Sequence, residues 1–129
     1  MSSNERIQSR MLPRDKFAVL SIKSTLKEAL DQMTKFRLGI ACMVDAEDKL
    51  VSVLTDGDLR RLLLTKQAPL AALLISPASE FGKLNPTTIQ VGATADEAKN
   101  LMHDKEIWDL PVLDSENKLI GLLHRHSLS

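Results

Sequence analysis

The sequence predicts an α/β (α+β) fold made of two β-α-β-β-α repeats about a pseudo-twofold axis, and three observations carry that prediction. The first is a return of the sequence on itself. A shift of 69 positions, with no gap, carries Thr25 onto Thr94, Glu28 onto Glu97, Ala29 onto Ala98, Met33 onto Met102, Asp45 onto Asp114, Glu47 onto Glu116, Lys49 onto Lys118, Leu50 onto Leu119 and Leu59 onto Leu128. One register held that long marks an internal duplication, and two copies of one supersecondary unit normally pack about a pseudo-twofold axis. The second is the stretch V-S-V-L-T-D-G-D-L-R-R-L-L-L of residues 51–64, where an apolar run stops at a polar turn and leucines resume at helical spacing. The third is that each copy carries two apolar runs joined by a few polar residues, which reads as a hairpin.

In chain order, residues 1–14 carry Ser, Asn and Arg with little periodicity and close on Pro13, so they read as a mobile lead-in or linker. Residues 15–66 form the first repeat. Its first strand is the run Phe17 to Ile22; Ser24 then reads as an N-cap with Glu28 in the first turn, and Leu26, Ala29, Leu30 and Met33 mark one face of a helix ending near Lys35. Gly39 punctuates the exit. Ile40 to Val44 and Leu50 to Leu54 are strands two and three, joined by the polar turn of residues 45–48, and a helix follows Thr55 to about Thr65. Residues 67–83 hold Pro69, Pro77 and Gly82 around an apolar A-A-L-L-I, the composition of a connector with a short buried anchor. Residues 84–129 repeat the pattern: Thr87 to Val91 strand-like, Thr94 to His103 helical, Trp108 to Leu113 and Lys118 to Leu123 a second hairpin, with the last helix barely begun at Ser129.

Composition narrows the function. With 129 residues, 43% of them hydrophobic, the chain can close one ordinary core or two small fused ones. Its 17 basic and 17 acidic residues cancel, so no global field draws it to nucleic acid or an anionic membrane, and a charged ligand must be held locally. Three Phe, one Trp and no Tyr offer little for base stacking, and no nucleic-acid partner is expected. Cys42 is the single cysteine and lies in an apolar run, which fits a buried reduced thiol and a cytoplasmic setting. No apolar segment approaches the roughly 18 to 20 residues that span a bilayer, and Met1 to Arg10 is polar where a secretory signal is apolar. No membrane partner is expected.

The chemistry-bearing residues gather at the strand-to-helix turn. Thr55 or Asp56 can cap the helix, Gly57 lets a ligand approach the backbone, and the free amides of a helix start suit an anion. The simplest account of the same turn is a cap and nothing more. Asp56-Gly57-Asp58 also has the spacing of a D-x-D metal motif, but no further acid cluster supports it. His124 and His126 alternate as on one strand face without a third ligand nearby, so no metal is expected. His103 favours the dipole of its helix, Trp108 suits a cleft wall or an interface, and Arg60 and Arg61 suit either a phosphate contact or the wet side of their helix, with solvent the simpler reading for Arg61. No nucleophile with a base is apparent, so no catalytic residue is assigned.

From about Pro13 to its end, the duplicated unit resembles tandem cystathionine β-synthase (CBS) domains. T-D-G-D-L-R-R, L-G-I-A-C-M-V-D and G-L-L-H-R-H-S-L resemble the CBS pair at the C-terminal end of bacterial arabinose-5-phosphate isomerases. The resemblance implies a regulatory, ligand-sensing module. Its catalytic partner would be a sugar isomerase domain of the same polypeptide, upstream of about Arg10, interconverting arabinose 5-phosphate and ribulose 5-phosphate for lipopolysaccharide or capsule biosynthesis. It implies a cleft between the repeats that binds a nucleoside derivative, with Asp58 on the ribose hydroxyls, Thr55 with Asp56 and Gly57 at a phosphate, and Ala18, Val19, Ile40 and Cys42 as walls. His124 and Trp108 are lesser ligand-binding candidates. No cofactor is implied beyond a nucleotide effector, AMP, ATP or a CMP-sugar, and a homodimer through the pair is expected. The second copy departs from the pattern, with His124 and Ser127 where the first has Thr55 and Asp58, and Ser52 stands where the second copy has Gly121 and the family a glycine. Two other readings share the turn: the N-terminal CBS pair of a sugar-phosphate nucleotidyltransferase, and a purely structural dimerisation module.

Overall fold

A computed structural model describes residues 5–128. Its regular elements are β1 (Leu12–Pro13), β2 (Ala18–Ser21), α1 (Leu26–Phe36), β3 (Ile40–Val44), β4 (Leu50–Thr55), α2 (Asp56–Thr65), α3 (Leu70–Leu74), β5 (Lys83–Leu84), β6 (Ile89–Gln90), α4 (Ala95–Lys105), β7 (Asp109–Leu113) and β8 (Leu119–His124). They form an α+β architecture of two four-stranded sheets and four helices, divided into two compact units. The first unit is Phe17–Pro86; the second joins residues 5–16 to residues 87–128. Among the described residues, no helix is long and apolar enough to cross a membrane.

In the first unit the strand order is β2-β3-β4-β5. β2 and β3 run parallel, with Ala18 opposite Ala41 and Ser21 opposite Val44, so the chain must cross over between them, and α1 is that crossover. β3 and β4 are the expected hairpin, pairing Ile40 with Thr55 and Cys42 with Val53. β3 is central and buried along its whole length, which is why it reads as an unbroken apolar run. Alternation along the strands sends Ala18, Ala41, Met43 and Leu54 into one cluster with Leu26, Ala29 and Met33 of α1 and Leu62 of α2. Val19, Ile40, Cys42 and Val53 alternate with these residues and belong to the opposite face of the sheet.

The second unit repeats this plan in the order β1-β8-β7-β6, with β6 and β7 parallel and β7 and β8 antiparallel. The duplication reaches the backbone. The hairpin register slips between Met43 and Val44 in one copy and between Val112 and Leu113 in the other, positions related by the same shift. Arg37 and Glu106 both take φ 55°, and Asp48 and Asn117 take φ 69° and 65°.

Residues 5–16, expected as a mobile lead-in, are instead built into the second unit. Ile7 is fully buried with Ala98, Met102 and Leu123, its amide donates to the Ala93 carbonyl (3.1 Å), and the Ala95 amide donates to the Glu5 carbonyl (2.7 Å). β1 adds an edge strand to β8, Leu12 opposite Leu122 and Pro13 opposite Gly121. Residues 1–4 lie outside the description. The connector is also part of a core: Leu73 and Ala78 are buried in the first unit, the Leu26 amide donates to the Ser76 carbonyl and the Ala78 amide to Ser24. Two boundaries move. The N-cap of α1 is Thr25, not Ser24, and its exit is turned by Arg37 in the left-handed region rather than by Gly39. The chain after β8 is a 3₁₀ turn, Arg125–Leu128, whose Leu128 is buried.

Candidate functional site

The turn at Thr55 is built by its own sequence. β4 holds Ser52, Val53 and Leu54 buried and carries Thr55 out in extended conformation (φ −116°, ψ 166°), from which its hydroxyl faces the first turn of α2. The Asp58 amide donates to Thr55 Oγ1 (3.3 Å), while Asp58 Oδ2 accepts from the Thr55 amide (2.9 Å) and hydroxyl (3.0 Å). This reciprocal capping box satisfies two helix-start donors at once. The other carboxylate oxygen, Oδ1, accepts from Arg61 Nη2 one turn on. The Asp58 side chain is 14% exposed and that of Arg61 64%, so a nearly buried carboxylate lies beneath a solvent-facing guanidinium.

Asp56 serves a different place. Its amide donates to the Gly39 carbonyl (3.0 Å), and its carboxylate lies so close to Gly39 that a Cβ there would fall 3.0 Å from Asp56 Cγ. Met33, Arg37 and Leu38 complete a hollow of about 280 Å³. The two acids of D-G-D therefore face different neighbours, and among the described residues no group of three or more His, Cys, Asp or Glu could hold a metal ion. Gly57 lies in the first turn of α2 without a positive φ; a Cβ there would meet Arg61 Nη1 at an ordinary 3.5 Å.

Of the wall residues, Ile40 stands directly opposite Thr55, and Cys42 is flanked by Val19 and Val53. Ile40 and Cys42 are buried and Val19 is half-buried. Ala18 differs, since its side chain belongs to the cluster under α1. The structure thus brings Thr55, Asp58 and Gly57 together at one helix start and sets Ile40 beside them in register, while Ala18 faces the helices.

In the second unit the equivalent of the Ile40–Thr55 pair is Asp109 opposite His124. There Asp109 Oδ1 and His124 Nδ1 lie 2.7 Å apart, with the His126 ring 5.0 Å from that of His124. Ser127, in the place of Asp58, offers its carbonyl to Arg10 (3.4 Å). Trp108 is 55% exposed, the Arg125 guanidinium lies 4.5 Å over its ring, and both line a half-open hollow of about 720 Å³ with Met102, His103 and Ile107. That hollow and the one beside Asp56 occupy corresponding positions of the two copies: Met33 answers to Met102, Gly39 to Trp108 and Asp56 to Arg125. Sequence reasoning missed two partners. Arg61 lies on the wet side of its helix, as its position predicts, but it also reaches Asp58, a pairing its i,i+3 spacing allows. Asp109 had no local signal, because it meets His124 only through strand register.

Comparison with known proteins places the fold in a family. The CBS domain family matches residues 9–65 and again residues 78–129. An inosine-5'-monophosphate dehydrogenase of Aquifex aeolicus is 37% identical over 99 residues, covering 76% of this chain and 19% of that protein. Arabinose 5-phosphate isomerase GutQ of Escherichia coli is 28% identical over 119 residues, covering 92% of this chain and 36% of that protein. The chain thus spans about a third or less of these relatives' lengths. Among solved structures, CBSX2 in complex with AMP superimposes with a TM-score of 0.82 at 22% identity, covering 96% of this chain and 93% of that one. A CBS domain protein from Pyrobaculum aerophilum complexed with AMP gives 0.80 at 21% identity, covering 95% and 88%.

Proposed function

The chain belongs to the CBS domain family as a tandem pair, and from that premise we propose that it is a regulatory module that binds an adenosine nucleotide at the Thr55–Asp58 turn and carries no catalysis of its own. One observation carries this reading: a single, nearly buried carboxylate, Asp58, held in place by its own helix cap beside the Gly57 amide in the first turn of α2. An ionised carboxylate accepts both hydroxyls of a ribose, and a hydroxyl with helix-start amides suits a phosphate. AMP is present in two of the solved structures that share the fold. Ser127 in the place of Asp58 leaves the second copy without that carboxylate, so one competent site is expected. The likeness to GutQ supports a parent arabinose-5-phosphate isomerase, whose sugar isomerase domain this module would regulate in the cytoplasm through differential affinity for two states.

Calorimetric titration with AMP, ATP and a CMP-sugar tests the reading. One equivalent of AMP or ATP is expected to bind, and Asp58→Asn to weaken it at least tenfold, about 1.4 kcal/mol. No heat from any of the three overturns it. A dimerisation role has its own support in the exposed Leu63, Leu64 and Leu70 of the first unit, and light scattering that finds a monomer at all concentrations removes it.

A further inference from the structure

We infer that Arg61 makes the Asp58 site selective for nucleotides over neutral nucleosides; this inference rests on the nucleotide reading of that site. The argument begins with the lone pairs of the Asp58 carboxylate. Oδ2 is spent on the Thr55 amide and hydroxyl, and Oδ1 is held by Arg61 Nη2. Oδ1 keeps one lone pair beside Arg61, so a ribose that takes both of its hydroxyls to Asp58 must displace Arg61 from Oδ1. A neutral nucleoside offers a neutral hydrogen bond in exchange for a charge-assisted one and leaves the guanidinium without a partner. A nucleotide returns an anion to the same guanidinium, so the exchange becomes nearly even.

The position of the side chain suits that exchange. Arg61 Nη1 lies 3.5 Å from the point where a Cβ of Gly57 would be, which places the guanidinium over the first turn of α2, where an anion meeting the Gly57 amide would sit. The Arg61 side chain is 64% exposed, so it can swing from carboxylate to phosphate without disturbing packing. The pairing belongs to one copy alone, because the second has Ser127 where the first has Asp58. Arg61 is a specificity-determining residue in this account: it guards the carboxylate against ligands that bring no charge.

The test compares AMP with adenosine by calorimetry on the whole chain, in the wild type and in Arg61→Gln, Arg61→Lys and Asp58→Asn. The wild type is expected to prefer AMP. Arg61→Gln should tighten adenosine about threefold and weaken AMP about threefold, the scale of one exposed ion pair, so the preference falls about tenfold. Arg61→Lys should restore most of the preference, which a merely structural role would not predict. Asp58→Asn should weaken both ligands together. If the wild type binds AMP and Arg61→Gln leaves the ratio unchanged, or shifts both ligands by one factor, this inference falls and the nucleotide site stands. If the wild type binds neither ligand, the site itself falls and the inference with it.

Discussion

Ser52 is where the two copies part company most sharply. It is fully buried, its hydroxyl meets no partner, and the chain that crosses it from β5 brings Gly82 against it, where a Cβ would fall 2.8 Å from Ser52 Oγ and press on the Val53 carbonyl. In the second unit the small residue is on the other strand: Gly121 of β8 lies under Met11 and Leu12, and a Cβ there would come within 2.9 Å of the Leu12 carbonyl. Each copy thus closes its sheet edge with one glycine, on opposite sides of the same contact. Gly82→Ala and Gly121→Ser are expected to destabilise the chain by about 1 to 3 kcal/mol each, the usual cost of overpacking, read as a lower midpoint in urea unfolding. Ser52→Ala removes an unpaired buried hydroxyl, so its midpoint should hold or rise. The serine at a family glycine position, which looks like a departure from the sequence alone, is compensated thirty residues away.

Helix ends show how far the sequence could be read. The three capping boxes Thr25–Glu28, Thr55–Asp58 and Thr94–Glu97 follow one spacing, and that spacing predicts Thr25 rather than Ser24 as the first cap once the acid three residues on is used to decide. Thr94→Ala should cost about 1 kcal/mol and free the α4 amides to exchange faster, measured by hydrogen exchange of residues 95–97. The C-terminal ends were less legible. Arg37 and Glu106 take the left-handed conformation that glycine usually supplies, and no glycine marks either place. A side chain in that region costs about 1 to 2 kcal/mol, and glycine gives back roughly half of this as unfolded-chain entropy, so Arg37→Gly and Glu106→Gly should each stabilise by about 0.5 to 1 kcal/mol. The helices α1 and α4 are readable because burial of one face imposes a period, and β3 with its hairpin partner because full burial leaves an apolar run. β1 and β5, of two residues each, show neither a period nor an apolar run, and α3 follows Pro69 in a stretch whose composition reads as a connector. The same limit applies to the site: Thr55 and Asp58 announce themselves through local spacing, whereas the Asp109–His124 pair exists only through register.

At the scale of the whole molecule, one of the two units is discontinuous in sequence. Residues 5–16 complete the unit formed by residues 87–128, so the second copy is closed by a segment that precedes the first copy. Ile7 is the test of this topology, because it is fully buried among Ile89, Ala98, Met102 and Leu123 while lying 82 to 116 residues from them in sequence. Ile7→Ala should leave a cavity costing about 2 to 5 kcal/mol, and the loss should fall on one unit. Hydrogen exchange is expected to speed up across β6, α4, β7 and β8 while β2, β3 and β4 keep their protection, as for two cooperative units of different stability. Equal loss of protection in both units would mean that they unfold as one. A selective loss would also set the Thr55–Asp58 turn apart: Thr55, Asp58 and Arg61 belong to the unit made from one continuous segment, Phe17–Pro86, whose integrity does not wait on long-range closure.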